Sequence, residues 1–164
     1  MKFTLDFAVF GLAIGFSALL CFLLARWYVW PRVAARPRRE ALILLLWPHT
    51  CRFLNLAAAT ASQTDPRLAH PWILEVAWGD FVAAVLALAA IVALRAKSGA
   101  AIGLTWAATL FGLADFVNSL GQGVVNGAAD LPLRAVWYIA AGLVPPLFTL
   151  HVLAILRLRA PEKA

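Results

Sequence analysis

The sequence predicts an all-α fold, a polytopic membrane helix bundle with five transmembrane helices, the N-terminus outside and the C-terminus cytoplasmic, in a single membrane domain over 1–164. Three observations carry this prediction. Hydrophobic residues make up 63% of the chain and charged ones 13%, with a mean hydropathy of +0.85, whereas apolar residues are roughly half of a soluble globular protein. The apolar residues fall in five runs, each near the ~20 residues that a helix needs to cross a bilayer core. Basic residues gather at the ends of those runs, which is how membrane topology is written. The net charge of +6 is therefore read as topology, and nucleic-acid binding is set aside.

The first helix is expected over about 5–30, with Pro31 ending it. No polar mature chain or cleavage site follows this run, so it reads as a retained helix and not as a signal peptide. Its Gly11-x-x-x-Gly15 would let another backbone approach closely, first within this protein and second in a homo-oligomer. The second helix is expected over 41–61, kinked at Pro48, after a link containing Arg32, Arg36, Arg38 and Arg39. Ser62 to Pro71 reads as a polar loop, with His70 solvated. The third helix runs over 72–95, the fourth over 101–122, and Gly123 to Leu133 is a turn-rich loop. The fifth, over 135–157, carries Pro145-Pro146, which should break or bend it.

Alternation of the helices then sorts the basic residues. Arg26, Arg32, Arg36, Arg38, Arg39, Arg95, Lys97, Arg157, Arg159 and Lys163 fall inside; Lys2, Arg67 and Arg134 fall outside. That bias agrees with the alternation at every helix end.

Arg52 remains, and it lies in mid-membrane on the second helix. A charge there costs at least about 2.5–3.5 kcal/mol and implies a buried partner. His49, Arg52 and Asn55 are spaced i, i+3, i+6, so they share one broad helix face. On the third helix Asp80 is followed by Ala83, Ala84, Ala87 and Ala90, a small-residue stripe that turns it toward protein. On the fourth, Thr105, Ala108, Gly112, Asp115, Ser119 and Gln122 form a similar stripe, flanked by Asn118. At ~1.5 Å per residue, Arg52, Asp80 and Asp115 come out about 16, 18 and 21 Å from the inner edge, one shared level. His49 falls a turn further in, and His151 of the fifth helix deeper still. The expected arrangement is a polar track, with Glu75, Asn55, Asn118 and Gln122 near the outer mouth, the charges at mid-depth and the histidines below.

Other features weigh less. Cys21 and Cys51 lack metal-type or CxxC spacing and read as small buried side chains. Among the seven tryptophans, Trp27, Trp30 and Trp72 sit at helix ends, as an interfacial belt would place them. Trp47, Trp78, Trp106 and Trp137 read as core packing. No metal site is expected, because Arg52 would occupy the carboxylates.

Trp47-Pro48-His49 with Arg52, Gly79-Asp80, Asp115 with Asn118, and Pro145-Pro146 with His151 together resemble an uncharacterised group of small bacterial multi-span membrane proteins. That resemblance covers about 41–158 and implies a protein of the bacterial cytoplasmic (inner) membrane, without assigning an activity. The residues themselves point to an ionisable pocket, formed by His49, Arg52, Asn55, Asp80, Asp115, Asn118 and His151 among membrane lipids. It would bind or translocate a small amphipathic or cationic ligand, or protons. Two alternatives stand beside it. One is an intramembrane acid–base enzyme acting on a lipid-soluble substrate; the other, though no cofactor is predicted, is b-type haem held by His49 and His151.

Overall fold

The computed structural model describes residues 4–60, 62–67, 70–128 and 133–161, and every regular element among them is helical. Lys2, Lys163 and the side chain of His70 lie outside what is described. Five helices are long and apolar enough to cross a membrane: α1 (Leu5–Ala34), α2 (Arg38–Ala59), α3 (Pro71–Arg95), α4 (Ala101–Val125) and α5 (Val136–Arg159).

Prolines do not stop these helices; they change the helix type. Pro31 does not end α1, as the sequence reading expected, because Ala25–Val29 forms one turn of π-helix ahead of it. Proline has no N–H, and its ring crowds the carbonyl four residues back. Widening the turn, with the Trp30 N–H on the Ala25 carbonyl, lets the chain pass the ring and remain helical to Ala34. In α5 a π turn at Ile139–Leu143 precedes Pro145-Pro146 in the same way, so the bend expected there is a local change of winding in a continuous helix.

Pro48 acts in the opposite sense. α2 is α-helical over Arg38–Leu46 and then a 13-residue 3₁₀ helix over Trp47–Ala59, not a kinked α-helix. Runs of 3₁₀ helix beyond three or four residues are uncommon, so packing must sustain this one. Three residues per turn place His49, Arg52, Asn55 and Ala58 in a single straight column, and these are the four residues of the segment that are buried. The ~2.0 Å rise also stretches the segment to about 26 Å, against about 20 Å as α-helix.

Helices α2 to α5 close into a ring, with α2 on α3, α3 on α4, α4 on α5 and α5 back on α2; α1 lies outside the ring along α5. Two apolar clusters sit at its ends. Leu42, Leu45, Leu46, Ile91, Leu94 and Ala154 fill the end near the arginine-rich link; Ala58, Ile73, Ala77, Ala128 and Leu133 fill the other. The alanine stripe of α3 is buried as expected. Arg157 donates to the Arg36 carbonyl at 2.9 Å and Arg38 to that of Ala160 at 2.5 Å, tying the α1–α2 link to the end of α5.

At the opposite end, Arg134 donates to the Ser62 carbonyl at 2.6 Å. Within that loop the Arg67 guanidinium and backbone N–H both reach Asp65 at 2.9 Å. The Arg67 side chain, then its backbone N–H, hold the Asp65 carboxyl down to about 2 from its ordinary 3.8. A depressed folded value contributes stability that is present above the ordinary value and is lost as pH falls toward about 2. The expected result is a small loss of thermal stability in Asp65→Asn near neutral pH. That difference from wild type should narrow as pH falls from about 4 to about 2, and a pH-independent difference would rule the linkage out.

Candidate functional site

Between the two apolar clusters lies one polar layer, organised by Arg52. Its Nε donates to Asp80 Oδ1 at 2.5 Å, its Nη2 to Asp115 Oδ2, and its Nη1 to the Gly112 carbonyl at 3.1 Å. The same Nη1 stands 3.5 Å from His151 Nε2. The guanidinium carbon lies 3.7 Å from the centroid of the Phe116 ring, a cation–π contact that screens one of its faces. Arg52 is 3% exposed, and every nitrogen of its fork is engaged. Asn55 extends the layer by donating Nδ2 to Asp80 Oδ2 at 2.5 Å.

Two glycines make the layer compact. A Cβ at Gly79 would overlap the Asp115 carboxylate, and a Cβ at Gly112 would stand 2.5 Å from His151 Nε2 and 3.0 Å from Arg52 Nη1. Neither is explained by turn geometry; both clear space for a side chain of a neighbouring helix.

His49 and His151 are both 1% exposed and stack on each other, with ring centroids 3.8 Å apart and planes 31° from parallel. The two histidines of the expected track are therefore in direct contact. Neither ring nitrogen of His49 has a protein partner, nor has His151 Nδ1.

Of the residues expected near the outer mouth, Asn55 joins the Arg52 layer through Asp80, while Asn118, Glu75 and Gln122 stay apart from it. Asn118 is exposed and donates to Glu75 Oε1 at 2.8 Å; Gln122 is exposed as well. Both lie on the exposed side of α4, whose Ser119, Leu120, Gly123 and Val124 face the cavity. Cys51 is exposed and Cys21 half-buried, because Cys51 sits beside, not within, the inward column of α2. Trp47 and Trp78 point out of the bundle; Trp106 and Trp137 are half-buried, as are Trp30 and Trp72. A Cβ at Gly11 or Gly15 would meet no atom within 4 Å, so the expected close approach of another backbone within the protein is not made.

What sequence reasoning missed is a cavity of about 280 Å³ that begins at this layer and runs toward the Trp72 end of α3. Trp72, Val76 and Asp80 form one wall at steps of four residues; Phe116, Leu120 and Val124 form the next. Ile139, Ala140 and Val144 of α5 and Phe7, Phe10, Gly11 and Ile14 of α1 complete it. Its surface is almost wholly apolar, and Asp80, Asn55 and Ser119 supply the polar exceptions near the Arg52 layer. Asn55 Oδ1, Ser119 Oγ and Trp72 Nε1 are buried without a protein partner. The i, i+4 spacing of Trp72, Val76 and Asp80 was the available signal, but only neighbouring helices turn such a ridge into a wall.

A family model described as "Domain of unknown function (DUF8737)" matches residues 9–159, and the chain belongs to that family. No curated protein and no solved structure matches the chain.

Proposed function

We propose, for a chain whose family carries no assigned activity, that it is an integral membrane protein binding one small amphipathic molecule in the cavity above Asp80. The bundle displays Leu12, Phe16, Leu88, Val92, Leu110, Val117 and other large apolar side chains on its outside, a surface suited to lipid and not to water. Arg32, Arg36, Arg38, Arg39, Arg95, Lys97, Arg157 and Arg159 belong to the link and helix ends on one side, which favours a cytoplasmic C-terminus and an outside N-terminus. The resemblance noted above favours the bacterial inner membrane.

The observation that carries the binding reading is the cavity's polarity gradient, apolar along four helices and ending on the Asp80 carboxylate and the Asn55 amide. One guanidinium faces two carboxylates there, so the layer holds one formal negative charge in excess. A proton or a cationic ligand head offsets such a charge in low dielectric. The preferred ligand has an apolar body and an amine or hydroxyl head that donates to Asp80. Neither His49 nor His151 borders this cavity, and their stacked rings do not present nitrogens across a haem-sized gap. Binding therefore ranks ahead of acid–base chemistry through His49 and of haem ligation.

Thermal-shift titration of the purified protein with long-chain amines, fatty alcohols and quinones tests the reading. A saturable stabilisation is expected with amines or alcohols. It should disappear in Ala140→Phe, which fills the cavity at a distance from the ion pairs, and weaken about tenfold or more in Asp80→Asn. No shift with any probe, or an undiminished shift in Ala140→Phe, would refute it.

A further inference from the structure

The helix that walls one side of the cavity has its buried residues at one end only. The buried residues of α1 are Ala25 and Val33, both part of the core near the arginine-rich link. Leu5 to Leu24, by contrast, contains no buried residue. Yet this stretch supplies Phe7, Phe10, Gly11 and Ile14 to the cavity. It packs along α5, with Phe10 and Trp137 in ring contact at 5.9 Å. It borders the same cavity as α4, but the two helices do not form a packed pair. The part with buried residues and the part without them meet at the π turn Ala25–Val29, one residue before Trp30-Pro31. π turns and prolines are the recognised sites of helix bending.

Resting on the binding reading above, we infer that the ligand is a bilayer-dissolved, single-chain amphiphile that enters sideways, through the α1–α4 side of the cavity. The N-terminal two-thirds of α1 swings about Ala25–Val29 as a lateral door. The physical case rests on unequal holding forces. Opening the door breaks side-chain packing against α5 and the contact of Phe10 with the cluster of Ala58, Ile73, Ala77, Ala128 and Leu133, but uncovers no buried side chain of Leu5 to Leu24, so its cost is small compared with parting any two helices of the ring. Once parted, the α1–α4 side gives lipid-facing surface continuous with an apolar wall that ends at Asp80. A ligand arriving from water would instead have to bring its apolar body past the polar ends of the helices. An amphiphile already oriented in the leaflet keeps its chain in apolar surroundings throughout, and only its head moves inward, to the carboxylate.

The test uses the full chain in liposomes, with Cys21→Ser and Cys51→Ser as background. In one variant Phe10→Cys and Trp137→Cys are joined by oxidation, fastening the door to α5; the reduced form of the same protein is its control. A spin-labelled dodecylamine is the probe. Oxidation is expected to slow both association and dissociation at least about tenfold while the Kd changes by less than about threefold, and reduction to restore the rates. In a second variant, nitroxides at Leu12→Cys and Val125→Cys, both exposed positions, report the α1–α4 separation without any ligand. A broad or two-peaked distance distribution is expected. Unchanged rates in the oxidised form, or a single narrow distance, would overturn the door while leaving the binding reading intact. Failure of the protein with Phe10 and Trp137 intact to bind the probe would overturn the binding reading itself.

Discussion

Arg52→Met is expected to be the most damaging single substitution in this protein, lowering the unfolding temperature by on the order of 10 °C. The side chain is lost from between Asp80 and Asp115, and two carboxylates are left in a buried layer without a cation. Removing one partner of a buried ion pair costs about 3–5 kcal/mol, because the other charge remains and is not compensated. At about 2–4 °C per kcal/mol for a chain of this size, that gives the stated shift. The informative comparison is Arg52→Met with Asp80→Asn and Asp115→Asn together. Replacing the whole network with neutral groups removes the orphaned charges, and most of the lost stability should return. Arg52→Lys should fall between the two, since an ammonium keeps the charge but cannot reproduce the fork that reaches both carboxylates and the Gly112 carbonyl. Should Arg52→Met melt like wild type in the same detergent, or the triple variant melt no higher than the single one, the polar layer is not what locks α2, α3 and α4 together.

The second large effect is expected from adding one methyl group. Gly79→Ala places a Cβ where the Asp115 carboxylate now lies, so Asp115 must withdraw from Arg52 or α3 must move away from α4. Overpacking alone costs about 1–3 kcal/mol, and here it is compounded by the broken ion pair. The diagnostic is a double-mutant cycle. In an Asp115→Ala background the clash and the pair are both absent, and Gly79→Ala should then cost less than about 1 kcal/mol, the residual effect of an ordinary helix substitution. Gly112→Ala should behave in parallel with His151→Ala, because its Cβ meets the His151 ring first. Equal costs in the presence and absence of the neighbouring side chain would show that these glycines serve local helix geometry and not the cross-helix contact.

Much of the polar layer was legible from the sequence because charge in an apolar run has few ways to be satisfied. Arg52 on the second run, Asp80 on the third and Asp115 on the fourth were the ionisable groups near one depth, and desolvation forces such groups to meet. The alanines after Asp80 marked the inward face of α3 for the same reason: small residues let helices approach. Asn118 shows where that logic stops. It shares the fourth run with Asp115 but sits one helical turn nearer the end, where Glu75 is an available partner outside the bundle.

Spacing put His49, Arg52 and Asn55 on one face but did not fix the kind of helix. His49, Arg52 and Asn55 at intervals of three sit about 60° apart per step on an α-helix and in line on a 3₁₀ helix. The sequence could not choose between them, since Pro48 is compatible with both. Packing chose: the column fits against α3 and α5, with Arg52 bonded to α3 and α4 and His49 stacked on α5.

By itself, then, the sequence determined that this chain is helical, that five of its segments are long and apolar enough to cross a membrane, and that one guanidinium must find carboxylates in the interior. These follow from hydropathy, helix length and the cost of isolated charge, all of them properties of single segments. Only the tertiary structure decided the 3₁₀ winding of α2, the stacking of the two histidines, the work of Gly79 and Gly112, and the cavity beside α1. Each of these depends on which surfaces face one another and how closely, and distance between helices is not encoded in the periodicity of any one of them.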